Sequence, residues 1–281
     1  MGQILITGCG GYIGSRLAAF LLKKGHKIVG ISRHGMNASF PFYEGDIRDK
    51  KLLGTIMSKE YISVVFHLAA LLKSDDEKET WDINVNGTKS VAMAFSESSA
   101  KKIIFASSAK AYGKMDAVPV REEDKLNPRS PYGKSKAEAE NVLRGIAGKQ
   151  VIVFRQTYLY GKGMPAGFLI PDIIRQMDSG AVTLRNADVK RDFIHIDDLI
   201  GVYFKALETP VEGTFNISCG KSITLRDAAH LLAAAAGKKI TVKSLDLPED
   251  NQEELLDIEK IKRVLGWDPS VGYKEGFRRC I

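Results

Sequence analysis

Three side chains in this sequence have the types and the order to move a proton at a substrate oxygen. Tyr132 and Lys136, in Pro131–Tyr132–Gly133–Lys134–Ser135–Lys136, are four apart and project from one face of the helix that this segment opens. A phenol exchanges protons poorly near neutral pH at its free pKa of about 10, and a lysine ammonium within a few ångströms favours the phenolate and draws that value down. Lys136 is placed to do this. The apolar run 102–106 reads as a strand that delivers Ser107 and Ser108 to its carboxyl end, where a Ser108 hydroxyl can hydrogen-bond an oxygen that becomes an alkoxide or a carbonyl. A Tyr-x-x-x-Lys pair alone is a common accident on helices, so its weight depends on what the rest of the chain supplies.

The chain supplies a partner for that chemistry at its start. Gln3–Ile4–Leu5–Ile6–Thr7 breaks into Gly8–Cys9–Gly10–Gly11–Tyr12–Ile13–Gly14, which reads as strand, tight turn and helix start. Gly8 permits the turn, Gly11 lets a pyrophosphate approach the backbone, and Gly14 lets the helix pack close to the strand. This is a dinucleotide-binding geometry, and with Ser108, Tyr132 and Lys136 it makes a three-part site for hydride transfer. The second strand, 27–31, ends in Ser32–Arg33–His34. An NAD-preferring fold places a carboxylate there on the ribose hydroxyls, whereas an Arg can face the 2′-phosphate of NADP. The acid is missing, so NADP(H) is favoured and NAD(H) is the other reading; a solvated loop charge is the bland account of Arg33.

Positioning these groups takes alternating strands and helices. Apolar spacing from Tyr12 to Lys24 predicts a helix, 40–43 a short strand, and Gly45–Asp46–Ile47–Arg48–Asp49 a turn with Asp49 as N-cap and Asp46 beside the adenine. The nearly all-apolar stretch 63–68 reads as a central parallel strand ending in His67–Leu68–Ala69–Ala70, whose small side chains leave room for a ligand; His67 reads as a structural histidine. An amphipathic helix over about 79–98 carries Asn84 and Gly87 at unfavourable mid-helix positions, which requires local compensation by a side-chain hydrogen bond or close packing. The α/β alternation predicts a Rossmann-like, doubly wound parallel sheet with a smaller C-terminal substrate-binding lobe. Residues 1–155 with about 192–208 are assigned to the dinucleotide-binding domain, and about 156–191 with 209–281 to the lobe.

Composition agrees with an enzyme for a phosphorylated ligand. The 281 residues are 44% hydrophobic, enough for a sizeable core, and carry a net charge of +7. The basic residues are scattered among acids in no long block, which argues against nucleic acid. Cys9, Cys219 and Cys280 lie far apart, so neither a disulfide framework nor a metal site is supported, and a reduced cytosol fits. No run of about eighteen apolar residues occurs, so neither a membrane span nor a signal peptide is expected.

Gly8-x-x-Gly11-x-x-Gly14, Gly45–Asp46–Ile47–Arg48–Asp49, His67–Leu68–Ala69–Ala70, Asn84–Val85–Asn86–Gly87–Thr88, Ser107–Ser108 before Tyr112–Gly113, Tyr132-x-x-x-Lys136 and Arg191–Asp192–Phe193–Ile194–His195 follow one another in this order. In this the chain resembles an extended short-chain dehydrogenase/reductase of the nucleotide-sugar epimerase/dehydratase group, over nearly all of its length. The resemblance implies Tyr132 as acid–base residue, Lys136 as its partner and ribose ligand, and Ser108 as the hydroxyl at the reacting carbon. It implies Tyr12, Ile13, Asp46, Ile47, Leu68, Ala69, Ala70 and Asn84 as cofactor contacts, and Arg191 as the holder of the substrate's diphosphate or nucleotide. It also implies a homodimer, in which the helices of Asn84 and Tyr132 pair across a twofold.

The departures bear on which member this is. Sugar 4,6-dehydratases of the group carry an Asp–Glu pair after the catalytic hydroxyl, and here that pair is Ala109–Lys110. Members that epimerise at two carbons use a Cys there, which Ala109 cannot replace. Single-carbon epimerases usually show an acid at the Ser32 position and an Asn at Tyr158, the expected sugar contact. The favoured expectation is thus a nucleotide-4-keto-sugar reductase using NADPH. The alternative is an NAD-dependent nucleotide-sugar 4-epimerase. The third reading, a dinucleotide-sensing protein without turnover, sits poorly with the presence of Ser108, Tyr132 and Lys136 together.

Overall fold

The computed structural model describes every residue except Met1, Lys73, Asp75, Asp116 and 248–251. The first apolar run forms β1 (Gln3–Thr7), with Leu5 and Ile6 wholly buried, because it lies inside a sheet covered on both faces. The chain continues through α1 (Tyr12–Lys23), β2 (Ile28–Ser32), β3 (Phe42–Glu44), α2 (Lys50–Lys59), β4 (Ile62–His67) and α3 (Glu77–Trp81). A π-helical turn, Asp82–Asn86, joins α3 to α4 (Gly87–Glu97), and β5 (Lys102–Ser108), α5 (Pro131–Arg144) and β6 (Gln150–Gln156) follow. Then come β7 (Tyr158–Tyr160), α6 (Leu169–Gln176), β8 (Ala181–Leu184), β9 (Lys190–His195), α7 (Ile196–Glu208) and β10 (Gly213–Ile217). The chain closes with β11 (Ser222–Thr224), α8 (Leu225–Ala235), β12 (Thr241–Ser244), α9 (Glu259–Leu265) and α10 (Tyr273–Arg278).

Seven strands make one Rossmann-like parallel sheet in the order β10-β6-β5-β4-β1-β2-β3. Strand β1 is central, pairing in parallel with β2 (Ile6 beside Gly30) and with β4 (Ile6 beside Phe66). The order reverses at β1, and that switch point aligns the carboxyl ends of β1, β4 and β5 on one edge. One face is packed by Leu53, Ile56 and Met57 of α2, Val91 and Phe95 of α4 and Leu143 of α5. Leu17 and Leu21 of α1 are buried too, and Tyr203 of α7 sets its ring 5.9 Å from Phe66 and 5.3 Å from Phe154. Lys102 ties α7 to β5: its ammonium donates to the carbonyls of Ala206, Leu207 and Thr209 at 2.8, 2.9 and 2.8 Å, satisfying the open C-terminal end of that helix.

By its contacts the chain divides into two units, each of three segments. The first holds Met1–Gly113, Lys125–Arg155 and Ile200–Phe215; the second holds Lys114–Asp124, Gln156–Leu199 and Asn216–Ile281. The second unit has its own core, in which Ile173 of α6, Val182 of β8, Phe193 of β9, Leu232 of α8 and Phe277 of α10 are buried. Its strands form a three-stranded sheet, β11-β9-β7, and a pair, β12-β8. Among the described residues no helix is long and apolar enough to cross a membrane.

Candidate active site

Ser108, Tyr132 and Lys136 come together in the first unit. Ser130 caps α5 by accepting the Gly133 amide at 3.0 Å, and Pro131 at the first helical position presets the backbone, so Tyr132 stands in the opening turn. Gly133 is required here: a Cβ would meet the Lys110 carbonyl at 2.4 Å, and that approach sets the start of α5 against the turn after β5. The Ser108 hydroxyl hydrogen-bonds the Tyr132 phenol and accepts the Lys110 amide at 3.1 Å. Lys136, 2% exposed, donates to the Ala106 carbonyl at 2.7 Å, and its ammonium lies 5.7 Å from the centre of the Tyr132 ring.

Burial dominates the electrostatics of the pair. Burial raises the Tyr132 phenol well above its ordinary value, and the force opposing that rise is the Ser108 hydrogen bond. Lys136 is itself brought down to about 7 by burial, with the Glu140 carboxylate acting the other way. Burial thus disfavours the charged form of both groups, and the ammonium is bonded to Ala106.

Around this trio the compensation demanded by Asn84 is visible. The π-turn lets Asn84 reach the Leu71 main chain, accepting its amide at 2.7 Å and donating to its carbonyl at 2.9 Å. It also donates to Ser135 at 2.9 Å, which ties the π-turn to α5. Gly87 meets the compensation by packing, since a Cβ would lie 2.6 Å from the end of Ile47. His67, wholly buried, bonds Thr7 at 2.8 Å and Thr88 at 2.9 Å. Thr7 Oγ1 already accepts the amides of Leu68 and Ala69 at 3.2 Å each, so it donates to Nδ1, and the histidine is neutral with its proton on Nε2. Its pKa is accordingly lowered, to about 3, mainly by burial.

The glycine loop passes a test of fit for a dinucleotide. Gly8 has φ +71°, and a Cβ there would lie 2.8 Å from Ala69; at Gly14 it would lie 2.2 Å from the Gly8 carbonyl. The N-cap of α1, Gly11, has no side-chain cap, so Tyr12 and Ile13 open a helix whose first amides face outward from a bare backbone turn. Ser32 ends β2 beside Gly10, and Arg33 follows it, exposed. Asp46 is held by Arg48, whose Nε and Nη2 donate to it at 2.9 and 2.8 Å and keep its carboxyl below the usual range. Leu68 and Ala69 are half-buried and Ala70 is exposed after β4, at the edge where β1 ends.

In the second unit, Tyr158 on β7 and Arg191 on β9 lie together, the guanidinium 5.9 Å from the centre of the Tyr158 ring. Both converge on Glu254, which accepts from Tyr158 at 3.2 Å and pairs with Arg191 Nε at 3.6 Å.

Comparison with known proteins locates this arrangement. Residues 4–218 match the model of the NAD dependent epimerase/dehydratase family. The chain belongs to that family. Over 95% of its length it is 29% identical to 90% of the UDP-glucose 4-epimerase of Halalkalibacterium halodurans. Over 99% it is 30% identical to 96% of the dTDP-4-dehydro-6-deoxyglucose reductase of Escherichia coli. The crystal structure of the Thermotoga maritima UDP-glucose 4-epimerase with UDP-glucose superposes with a TM-score of 0.89 at 27% identity, covering 98% of this chain and 96% of that one.

Two carboxylates of this epimerase/dehydratase fold escaped the sequence reading. Glu140, fully buried, accepts Ser107 at 2.5 Å and Arg155 Nη2 at 2.7 Å. It follows Lys136 by one helical turn, a signal that was there to find. Glu254 had none, for it lies in an acidic stretch that reads as a solvated loop.

Proposed function

We propose that the chain is an NAD-dependent nucleotide-sugar 4-epimerase acting on a UDP-sugar, the reading held second on sequence alone. Likeness to a UDP-glucose 4-epimerase over 95% of the chain carries it. Gly8, Gly11 and Gly14 would hold the pyrophosphate, Asp46 and Ile47 the adenine side, and Leu68, Ala69, Ala70 and Asn84 the crevice. Bound NAD supplies the hydride acceptor and donor. Tyr132 takes the proton from the sugar's 4-hydroxyl and returns it after the 4-keto sugar has turned its other face. Ser108 hydrogen-bonds the same oxygen and keeps the phenol aimed at it. Lys136 holds the ribose beside Tyr132, and Arg191 with Tyr158 holds the substrate's phosphates.

The test is to release and identify the dinucleotide carried by the protein as isolated, and to follow UDP-glucose and UDP-glucuronate by their anomeric proton resonances. Tightly held NAD and formation of the 4-epimer are expected. A second reading, 4-keto-sugar reductase, draws on the exposed Arg33 after an uncharged Ser32 and on the likeness to the Escherichia coli reductase. It wins if the protein arrives without NAD, binds NADPH more tightly than NADH, and oxidises NADPH only with a 4-keto sugar. A cytosolic location and a homodimer complete the proposal, the dimer supported by Trp81 and Met93, which stand 42% and 50% exposed on α3 and α4. Sedimentation as a monomer at micromolar concentration removes the dimer.

A further inference from the structure

We propose that Glu254 is a built-in carboxylate ligand of Arg191 that the phosphates of a nucleotide must displace, so that it sets how tightly this site takes an anion. The inference rests on reading Arg191 as the holder of the substrate's phosphates. The Arg191 side chain is 3% exposed and that of Glu254 12%, so a guanidinium at this depth needs an opposite charge, and the carboxylate supplies it. Arg191 Nε and Glu254 Oε1 lie 3.6 Å apart, within ion-pair range and beyond a good hydrogen bond. The carboxylate is thus paired with the arginine at Nε by charge. Its short contact is instead with the Tyr158 hydroxyl at 3.2 Å.

The two partners are anchored differently. Arg191 Nη1 donates to the carbonyls of Lys190 and Gln252 at 3.0 and 2.5 Å, so the guanidinium stays where it is. The Glu254 backbone is fixed beside β9, donating to the Lys190 carbonyl at 3.2 Å and accepting the Asp192 amide at 3.0 Å. Only its side chain has to turn, about its own torsions, for a diphosphate to take its place on Nε. A diphosphate carries more charge than one carboxylate and wins the exchange, but with the loss of the Arg191–Glu254 attraction set against it.

Titration calorimetry of the full chain with UDP, in wild type and Glu254→Gln, tests this. Gln keeps the shape and a hydrogen bond to Tyr158 while removing the charge, and UDP should bind at least about tenfold tighter. Arg191→Ala should weaken UDP in both backgrounds and erase the gain. Should Glu254→Gln fail to fold, Glu254→Ala is the second variant, with tighter binding again expected. If wild type binds UDP and these variants bind it equally or more weakly, Glu254 is a brace for Arg191 and the inference is overturned, while the epimerase reading stands. If neither UDP nor UDP-glucose binds any of the proteins, the nucleotide-sugar reading falls and this inference with it.

Discussion

Tyr132 and His67 show two ways in which burial sets what a single group can do. Burial holds the phenol protonated in the protein alone, so the base role proposed for Tyr132 draws on the positive charge that bound NAD would bring beside it. Tyr132→Phe removes the hydroxyl and leaves the ring, so turnover should fall by roughly 10²–10⁴-fold or more while affinity for NAD stays near that of wild type. Turnover of a UDP-sugar at the unaltered rate would falsify the assignment. His67 makes a prediction about stability. Its folded-state pKa, about 3, lies below the ordinary value near 6.5. The neutral ring contributes fully above pH 6.5, and that contribution is lost as the pH falls toward 3, at about 1.4 kcal/mol per pH unit. Urea denaturation at stepped pH should register this slope, and His67→Gln should flatten the part of it due to the ring.

At the scale of elements, β5 and α5 are joined through Glu140, which gathers Ser107, Arg155 and, at 3.0 Å, Arg144. Glu140→Gln leaves the Arg155 guanidinium, 2% exposed over the Tyr112 ring at 4.7 Å, without its counter-charge. A loss of about 3–5 kcal/mol is expected from denaturant unfolding. Replacing Glu140 and Arg155 together by Leu should destabilise less than the single change; equal losses would mean that the pair is not what joins these elements. The glycine loop makes a sharper case. Gly14→Ala drives a Cβ toward a backbone carbonyl that cannot yield, so NAD binding should be lost even where the protein remains folded. Much of this level was legible in the sequence. The strand–glycine–helix start, the Asp49 cap, which accepts the Leu52 amide at 2.9 Å, and the strain at Asn84 all come from local rules that the sequence carries in full. Strands β7, β8, β11 and β12 did not stand out, because three or four residues carry too little periodicity to tell a strand from a loop. The position of Glu254 was illegible for a different reason, since its meeting with Tyr158 and Arg191 bridges wide gaps in the chain that only folding closes.

For the whole molecule, the two units are interleaved along the chain, each supplying three alternating segments. No single cut separates them. Residues 1–155 expressed alone lack α7 and β10, so Tyr203 no longer covers Phe66 and Phe154 and one edge of the sheet is left open. The fragment should be insoluble or bind a hydrophobic dye, and a cooperative melting transition from it would refute that expectation. The same arrangement has a consequence during synthesis. Strand β6 leaves the ribosome roughly sixty residues before its neighbour β10, and at about 5–20 residues per second that is several seconds of delay. Through that interval the edge of β6 offers unpaired amides and carbonyls, and Lys102 has none of the three carbonyls that later receive it. A holding chaperone is therefore expected to bind the nascent chain over that stretch of translation. Protease cleavage within residues 150–156 should be open while residue 200 is emerging and closed once residue 217 is clear.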